Sequence, residues 1–209
     1  MKTLNADWLA AEATQQVIAA LEAGRPGCAR FVGGCVRNTI MARPVDDIDI
    51  ATQLAPEDTL KALEAAGIRA IPTGIEHGTV TAIVDHQPFE ITSLRRDVET
   101  DGRRAVVAFT EDWGEDAQRR DFRLNALYAA PNGEIFDPVG GGYEDAMAGR
   151  VIFIGDGDQR LREDYLRILR FFRFNAWYGA GIDAEGLAAC ERQRGGLAKI
   201  AKERTWKEF

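Results

Sequence analysis

The stretch VDDIDIAT, residues 45–52, alternates acidic and apolar side chains. In an extended strand successive side chains point to opposite faces, so Asp47 and Asp49 share one face and the two isoleucines share the other. Neighbouring carboxylates repel each other unless a proton or a cation lies between them. Because Mg²⁺ prefers oxygen ligands, the pair predicts a magnesium site. The alternative interpretation is a solvated edge strand whose acids face water.

A glycine pair, Gly33-Gly34, stands just upstream, where the apolar run ARFVGG is followed by the helical pattern CVRNTIMAR. This order predicts a strand, a tight turn and a helix. The turn lets backbone N–H groups approach a phosphate, and the helix N-terminus adds a partial positive charge. A glycine pair also occurs in ordinary turns. Together with the acid pair, it predicts phosphoryl or nucleotidyl transfer, in which metal ions activate a hydroxyl and screen a leaving pyrophosphate.

The composition predicts a soluble cytoplasmic protein with no membrane contact. Of the 209 residues, 45% are hydrophobic and 28% are charged. No apolar run reaches the roughly 18 residues of a membrane helix, and the N-terminus does not resemble a basic leader. The three cysteines have neither disulfide-framework nor zinc-site spacing. A formal charge of -7 argues against a generally basic nucleic-acid surface, so any polyanion must meet a local patch.

The pattern of apolar residues predicts helices over residues 5–23 and 56–67. Three strands follow, IRAIPTG, GTVTAIVD and PFEITSLRRD, because β-branched residues alternate with others. Apart from AVVAF, residues 99–120 are charged and weakly patterned, which makes them a candidate mobile loop. The segment from residue 121 to 156 is expected to hold a helix, a hairpin around 131–133 and a glycine-rich turn.

Beyond about residue 156 the pattern is helical only, which suggests two units: an α/β head over residues 1–155 and the start of a helical neck over 156–209. The final residues, KIAKERTWKEF, are in mid-pattern helix without a cap. We therefore expect the chain to be part of a longer parent.

Several motifs occur in an order that resembles one family. FVGGCVRN and VDDIDIAT are similar to the first motif of the class II tRNA nucleotidyltransferase and bacterial poly(A) polymerase family, within the polymerase-β-like nucleotidyltransferases. The resemblance continues through the following segments: HGTV, FEITSLR, QRRDFRLNAL, IFDPVGG and LREDYLRILRFFRF. It implies a polymerase-β-like head with a mixed sheet flanked by helices, followed by an all-helical neck.

The resemblance also implies roles for individual residues. Asp47 and Asp49 match the aspartates that bind the catalytic Mg²⁺ ions. The remaining matches concern the nucleotide: Gly33, Gly34 and Arg37 contact it, Arg120 meets its triphosphate, and Asp121 and Asn125 recognise its ribose. The family usually has Asp after the motif arginine, whereas this chain has Asn38, which leaves any charge pairing at that position in doubt.

Glu90, in FEITSLR, alternates with apolar neighbours on a predicted strand. It could supply a third carboxylate to the metal site. The alternative is a structural ion pair with Arg95 or Arg96.

The segment LREDYLRILRFFRF, residues 161–174, predicts one continuous helix with a wide apolar stripe. The stripe consists of Leu161, Tyr165, Leu166, Ile168, Leu169, Phe172 and Ala176. Asp164 and Arg167 lie three residues apart beside it, so an intrahelical salt bridge is one interpretation. Phe171 and Phe174 place apolar surface on this charged side too, so its charges need partners.

A nucleobase can supply those partners. Cytosine and adenine both present an amino donor beside a ring-nitrogen acceptor, so an aspartate can accept from the amino group while an arginine donates to the ring. Guanine and uracil present the opposite order and leave buried groups unpaired, at about 1–3 kcal/mol each. The family motif assigns this role to Asp164 and Arg167, and places Arg170 and Arg173 near the nucleotide.

The predicted function is template-independent addition of CMP and AMP to the 3′ end of tRNA, from CTP and ATP, with Mg²⁺ and pyrophosphate release. A poly(A) polymerase or A-adding enzyme of the same family is one alternative, because these motifs do not separate the two. A nucleotide- or RNA-binding fragment without turnover is another. An Asp-x-Asp sugar transferase has no support from RRDF or EDYLR.

Overall fold

The computed structural model describes residues 2–100 and 105–208. Its strands are β1 (Ala29–Val32), β2 (Ile48–Thr52), β3 (Arg69–Gly74), β4 (Thr79–Val84), β5 (Gln87–Ser93), β6 (Arg95–Thr100), β7 (Ala105–Phe109), β8 (Tyr128–Ala129) and β9 (Ile135–Phe136). Its α-helices are α1 (Asp7–Ala10), α2 (Glu12–Glu22), α3 (Gly34–Ile40), α4 (Pro56–Ala65), α5 (Trp113–Gln118), α6 (Gly142–Ala148), α7 (Gly157–Glu163), α8 (Leu166–Tyr178), α9 (Ala184–Gln193) and α10 (Lys202–Trp206).

The main sheet is mixed. In the described residues it has the strand order β3-β4-β5-β2-β1-β8-β9, and β6 and β7 form a separate antiparallel ribbon. The β2–β5 pair is parallel, whereas β1–β2 and β4–β5 are antiparallel. Strand β2 is therefore internal, so the interpretation of VDDIDIAT as a solvated edge strand is wrong. The predicted mixed sheet flanked by helices is confirmed.

One face of the sheet carries the core and the other remains partly open. Along β5, Phe89 and Ile91 are buried, while Glu90 between them is exposed. Helices α2 and α4 pack on each other and on the sheet. Since side chains alternate along a strand, the helices cover the apolar face and leave the carboxylates on the opposite face.

Helix α8 packs on the same core. Phe171 and Phe174 are buried against Phe122 and Phe153, with ring centroids between 5.0 and 6.2 Å apart. This aromatic cluster fixes α8 beside the segment around Phe122, which carries Asp121 and Asn125.

Most predicted elements are confirmed: the strand, turn and helix around the glycine pair, the strand in VDDIDIAT, the helix over 56–67, the three following strands, and the hairpin around 131–133. The first predicted helix is divided, because Ala11 has an extended backbone between α1 and α2. The helix expected between residues 121 and 156 is α6, which follows the hairpin and does not precede it. Phe122 is extended and bridges to Phe153, so a single 3₁₀ turn, Arg123–Asn125, precedes β8.

The continuous helix over residues 161–174 is also wrong. Asp164 has an extended backbone, and its Oδ1 accepts a hydrogen bond from the Leu166 amide at 3.1 Å. The phase of the apolar stripe changes at this break. Phe172 and Ala176, which were expected in the stripe, are exposed.

The candidate mobile loop over 99–120 contains β7 and α5 instead of a continuous loop. Its residues 101–104 lie outside the described residues. None of the helices in the described part of the chain is long and apolar enough to cross a membrane.

Candidate active site

A pocket of about 520 Å³ opens beside the glycine turn. It is lined by Gly33, Gly34, Arg37, Asp49, Arg95, Arg119, Arg120, Asp121, Asn125, Asp164, Leu166, Arg167, Arg170, Phe174 and Arg204. Most of the predicted site residues are therefore brought together from distant parts of the chain. Seven arginines face three aspartates in this lining. The acidic chain thus has the local positive patch that a polyanion requires.

The carboxylates converge through the pairing of β2 with β5. Asp49 and Glu90 are register partners on adjacent parallel strands, and Asp47 lies directly before β2. The pKa of Asp49 is raised to about 6, mainly because the side chain is buried. The negative charges of Glu90 and Asp47 raise this pKa further, whereas the positive charges of Arg120 and Arg37 lower it. A carboxyl in this position favours neutralisation by a proton or a cation.

Glu90 and Asp47 do not line the pocket itself, and both are exposed. Arg96, one of the predicted partners of Glu90, lies 3.9 Å from Glu115. Among residues 2–100 and 105–208, no group of three or more His, Cys, Asp or Glu side chains is arranged to hold a metal ion by itself. Mg²⁺ in nucleotide sites typically uses one or two carboxylates and takes other ligands from phosphates and water. The oxygen donors of Asp47 and Asp49 fit that pattern.

The glycine turn faces these carboxylates. Gly33 has φ +67°, a conformation that favours glycine. A Cβ on Gly34 would lie 4.0 Å from Asp49 Oδ2 and 3.9 Å from Arg37 Nη2. The backbone of the turn is therefore within reach of both a carboxylate and a guanidinium.

Arg37 is held from several sides. It donates from Nη1 to Asn125 Oδ1 at 2.5 Å, from Nη2 to the Tyr178 hydroxyl at 2.9 Å, and from Nη2 to Asn38 Oδ1 at 2.8 Å. Asn38 Nδ2 in turn donates to the carbonyl of Pro44 at 2.7 Å. Asn38 therefore supplies an uncharged hydrogen-bond acceptor to Arg37. Its bond to the carbonyl of Pro44 also holds the segment that leads to Asp47.

Asp121 and Asn125 form a buried pair at the floor of the pocket. Asp121 Oδ1 accepts from Asn125 Nδ2 at 3.1 Å, and its Oδ2 accepts from Arg170 Nε at 2.7 Å. Although burial would raise the pKa of Asp121, Arg170 and Asn125 hold it below its usual value. The carboxylate is thus kept charged.

The predicted base-reading pair is arranged differently from the expectation. Asp164 pairs with Arg204 at 2.7 Å, whereas Arg167 pairs with Glu163 at 2.7 Å. Arg167 also donates from Nη2 to the carbonyl of Arg119 at 3.1 Å. The alternative of an intrahelical Asp164–Arg167 salt bridge is wrong, because Asp164 lies at the break between α7 and α8. Both side chains nevertheless line the same pocket.

Arg173 does not line the pocket. It donates from Nε to Glu208 at 2.8 Å and lies over the rings of Phe174 and Trp177. Arg170 and Glu208 are 3.6 Å apart, so the same carboxylate also neighbours a pocket residue.

Comparison with protein families matches residues 29–152 to the family described as the Poly A polymerase head domain. The chain belongs to this family. It is 45% identical over 187 residues to the human protein named CCA tRNA nucleotidyltransferase 1, mitochondrial. The aligned region covers 86% of this chain and 42% of the human protein. A CCA-adding enzyme of Bacillus cytotoxicus is 38% identical over 183 residues, or 87% of this chain and 45% of that protein.

The fold of this head-domain family member is also found in a solved structure. The Bacillus stearothermophilus CCA-adding enzyme in complex with CTP matches 94% of this chain and 47% of that chain, with a TM-score of 0.83 and 32% identity. The chain thus spans less than half the length of these relatives. The residues matched to the family include the glycine turn, the carboxylates and the Asp121–Asn125 pair, whereas the pocket residues of α8 lie beyond them.

Sequence reasoning did not identify several residues of the pocket region. Arg119 and Arg204 line the pocket but were not assigned to the site, and Arg204 comes from a segment that only tertiary packing brings there. Asp116, which is 1% exposed, binds both Arg119 and Arg120. Its spacing of three and four residues from the two arginines is a helical ion-pair signal that could have revealed it.

Proposed function

We propose that this chain is the head and early neck of a template-independent nucleotidyltransferase that adds CMP and AMP to the 3′ end of tRNA. The observation that carries the proposal is a single arginine-rich pocket that joins Asp49 to the Asp164 and Arg167 region. The CCA-adding names of the relatives support it. The head is assigned to residues 1–155 and the neck to 156–209.

The phosphates of CTP or ATP lie against the arginine-rich side of the pocket in this proposal. Arg120 and Arg37 approach the glycine turn, where a triphosphate can also accept hydrogen bonds from backbone N–H groups. Asp121, which Arg170 keeps charged, accepts hydrogen bonds from the ribose hydroxyls. The neutral amide of Asn125, which Arg37 orients, donates to them.

The carboxylates of Asp47 and Asp49 would hold Mg²⁺, with Glu90 beside Asp49 as a third carboxylate. A bound ion would lower the pKa of the RNA 3′ hydroxyl and screen the charge of the departing pyrophosphate. The raised pKa of Asp49, about 6, is the property expected of a carboxylate that has a cation as its intended partner.

Base choice is assigned to Asp164 and Arg167. The Asp164 carboxylate accepts from the amino group of cytosine or adenine, and the Arg167 guanidinium donates to the ring nitrogen. Since both groups are engaged with Arg204 and Glu163 in this structure, nucleotide entry exchanges those partners for the base. Arg170 and Arg173 remain the flanking positive charges of this region.

Incorporation of labelled CTP and ATP, each alone and together, into tRNA that lacks its terminal CCA tests the proposal. We expect CMP transfer from CTP alone and AMP transfer after it, both abolished by Asp49→Asn and retained by Asp46→Asn, a control on the exposed neighbour. AMP polymers without CMP would favour a poly(A) polymerase. Nucleotide binding without transfer, with no difference between the wild type and Asp47→Ala, would favour a binding module.

The cellular location also belongs to this proposal. The cytoplasm is the proposed location, although the human relative is named for mitochondria. Fractionation of cells that express the tagged chain tests it. Cofractionation with an organelle would contradict the assignment.

A further inference from the structure

Asp116 is a buried acid below the arginine-rich side of the pocket. Its Oδ1 accepts from Arg119 Nε at 2.9 Å and Nη2 at 2.7 Å. Its Oδ2 accepts from Arg120 Nε at 3.3 Å and Nη2 at 3.1 Å, and from the Tyr128 hydroxyl at 2.6 Å. The Asp116 side chain does not itself line the pocket. It therefore acts on the pocket only through the groups that it holds.

The two arginines are bound in the same way. Each uses its Nε and Nη2 edge for Asp116, and no hydrogen bond from the Nη1 of either is found within the described residues. Both arginines line the pocket, and Nη1 of Arg120 is 3.7 Å from the position of a Cβ on Gly33. The free nitrogen of Arg120 therefore lies at the glycine turn.

The surroundings of Asp116 keep it ionised. Burial would raise its pKa, but Arg120 and Arg119, together with the Tyr128 hydroxyl, lower that pKa to about 2. A carboxylate that is charged at neutral pH and receives several donors fixes their geometry, in the way that groups behind a ligand shell orient the ligands. Tyr128 is fully buried and packs edge-on against Trp113, so its hydroxyl is itself held in place.

We propose that Asp116 is a positioning residue that aims the free Nη1 groups of Arg119 and Arg120 at the triphosphate of the incoming nucleotide. This inference rests on the proposed function for the class of ligand, a nucleoside triphosphate. It adds a residue that does not touch the ligand. It also predicts that the effect of Asp116 falls on the β- and γ-phosphates and not on the base or ribose.

Isothermal titration of the full chain with CTP and with CMP, in the presence of magnesium, tests the inference. For Asp116→Asn we expect the affinity for CTP to fall about 10-fold or more, and the affinity for CMP to change by about 2-fold at most. In turnover, the KM for CTP should rise more than kcat falls. Removal of a negative charge that only offset the arginines would instead tighten CTP binding.

Asp145→Asn is the matched control. Asp145 is fully buried and pairs with Arg123 at 2.7 Å and Arg150 at 3.0 Å, away from the pocket lining. The Asp145→Asn variant should have a lower thermal stability than the wild type and the same ratio of CTP affinity to CMP affinity. Equal changes in that ratio for both variants would reduce Asp116 to a structural ion pair.

Tyr128→Phe provides a second route if Asp116→Asn does not fold. It removes only the hydroxyl that contacts Asp116 and Arg120. We expect a smaller loss, about 3-fold, again confined to CTP. Unchanged or tighter CTP binding in this variant would overturn the inference. If the wild type binds CTP but transfers nothing to tRNA, the proposed function fails while the positioning role is still measured. If it binds no CTP, both fail.

Discussion

Asp49 should destabilise the protein when no cation is bound. Its pKa is raised from 3.8 to about 6, with burial as the main cause and the neighbouring Glu90 as the next. Because the folded state disfavours the charged carboxylate, Asp49 lowers the free energy of unfolding at high pH. This loss is absent below the unfolded-state pKa of about 4, develops between pH 4 and 6, and is complete above the folded-state pKa of about 6. Replacement by asparagine removes this cost.

The magnitude follows from the size of the shift. About two pKa units correspond to about 3 kcal/mol, which partial solvation of the half-buried side chain reduces to about 1 to 2 kcal/mol. Asp49→Asn should therefore raise the free energy of unfolding by that amount at pH 8. The gain should vanish as the pH is lowered towards 4, because the wild-type carboxyl is then protonated in the folded state.

Urea denaturation in the presence of a chelator, at pH 4.5 and pH 8, measures both values. Asp46→Asn, on an exposed neighbour, should change stability by less than about 0.5 kcal/mol at either pH. Addition of magnesium and CTP should then stabilise the wild type and not Asp49→Asn, since ligands stabilise the state that binds them. A variant that is no more stable than the wild type at pH 8, or a gain that is the same at both pH values, would refute the reasoning.

Variants at three other positions of the site have specific expected outcomes. Asn38→Ala should lower the free energy of unfolding by about 1–2 kcal/mol in urea denaturation, because it removes the hydrogen bonds to Arg37 and Pro44. Asn38→Asp keeps the hydrogen bond to Arg37 and should lose less stability. An equal loss in the two variants would contradict this. As the pH falls from 4 to 2, the free energy of unfolding of the wild type should fall by about 2 kcal/mol relative to that of Asp116→Asn. The lowered pKa of Asp116 stabilises the folded state above the unfolded-state pKa, and this stabilisation is lost as the pH falls through the folded-state pKa. A stability difference between the two proteins that does not change with pH would contradict this. Gly33→Ala should cost about 1–2 kcal/mol through its positive φ and weaken CTP binding, while Gly27→Ala, with φ +76°, should cost as much stability and leave CTP binding intact. If Gly33→Ala and Gly27→Ala changed the affinity for CTP equally, the glycine turn would not be part of the nucleotide-binding site.

The predictable part of the fold is the part with local signals. VDDIDIAT has a period of two, and Gly33 must take a positive φ, so both the strand and the turn can be recognised from residue types alone. The pairing of Asp49 with Glu90 is different, because register between separate strands depends on the whole sheet. Sequence reasoning could name both carboxylates but not their adjacency.

The break at Asp164 shows why helical periodicity was misleading. A short acidic side chain can bind the backbone N–H of a following residue and begin a new helix, and Asp164 does so with Leu166. If residues 161–174 are drawn as one continuous helix, their apolar residues form a single stripe, so the sequence carries no sign of the change in phase at Asp164. Consequently Phe171, expected on the charged side, is fully buried, and Phe172 is exposed.

The central claim is that one pocket binds a magnesium-linked triphosphate and selects its base. Titration of the protein with CTP, ATP, GTP and UTP, with magnesium and with a chelator, tests it directly. We expect magnesium-dependent binding of CTP and ATP, and at least about 10-fold weaker binding of GTP and UTP, because these leave polar groups unpaired. Equal binding of all four nucleotides, or binding that is indifferent to magnesium, would contradict it.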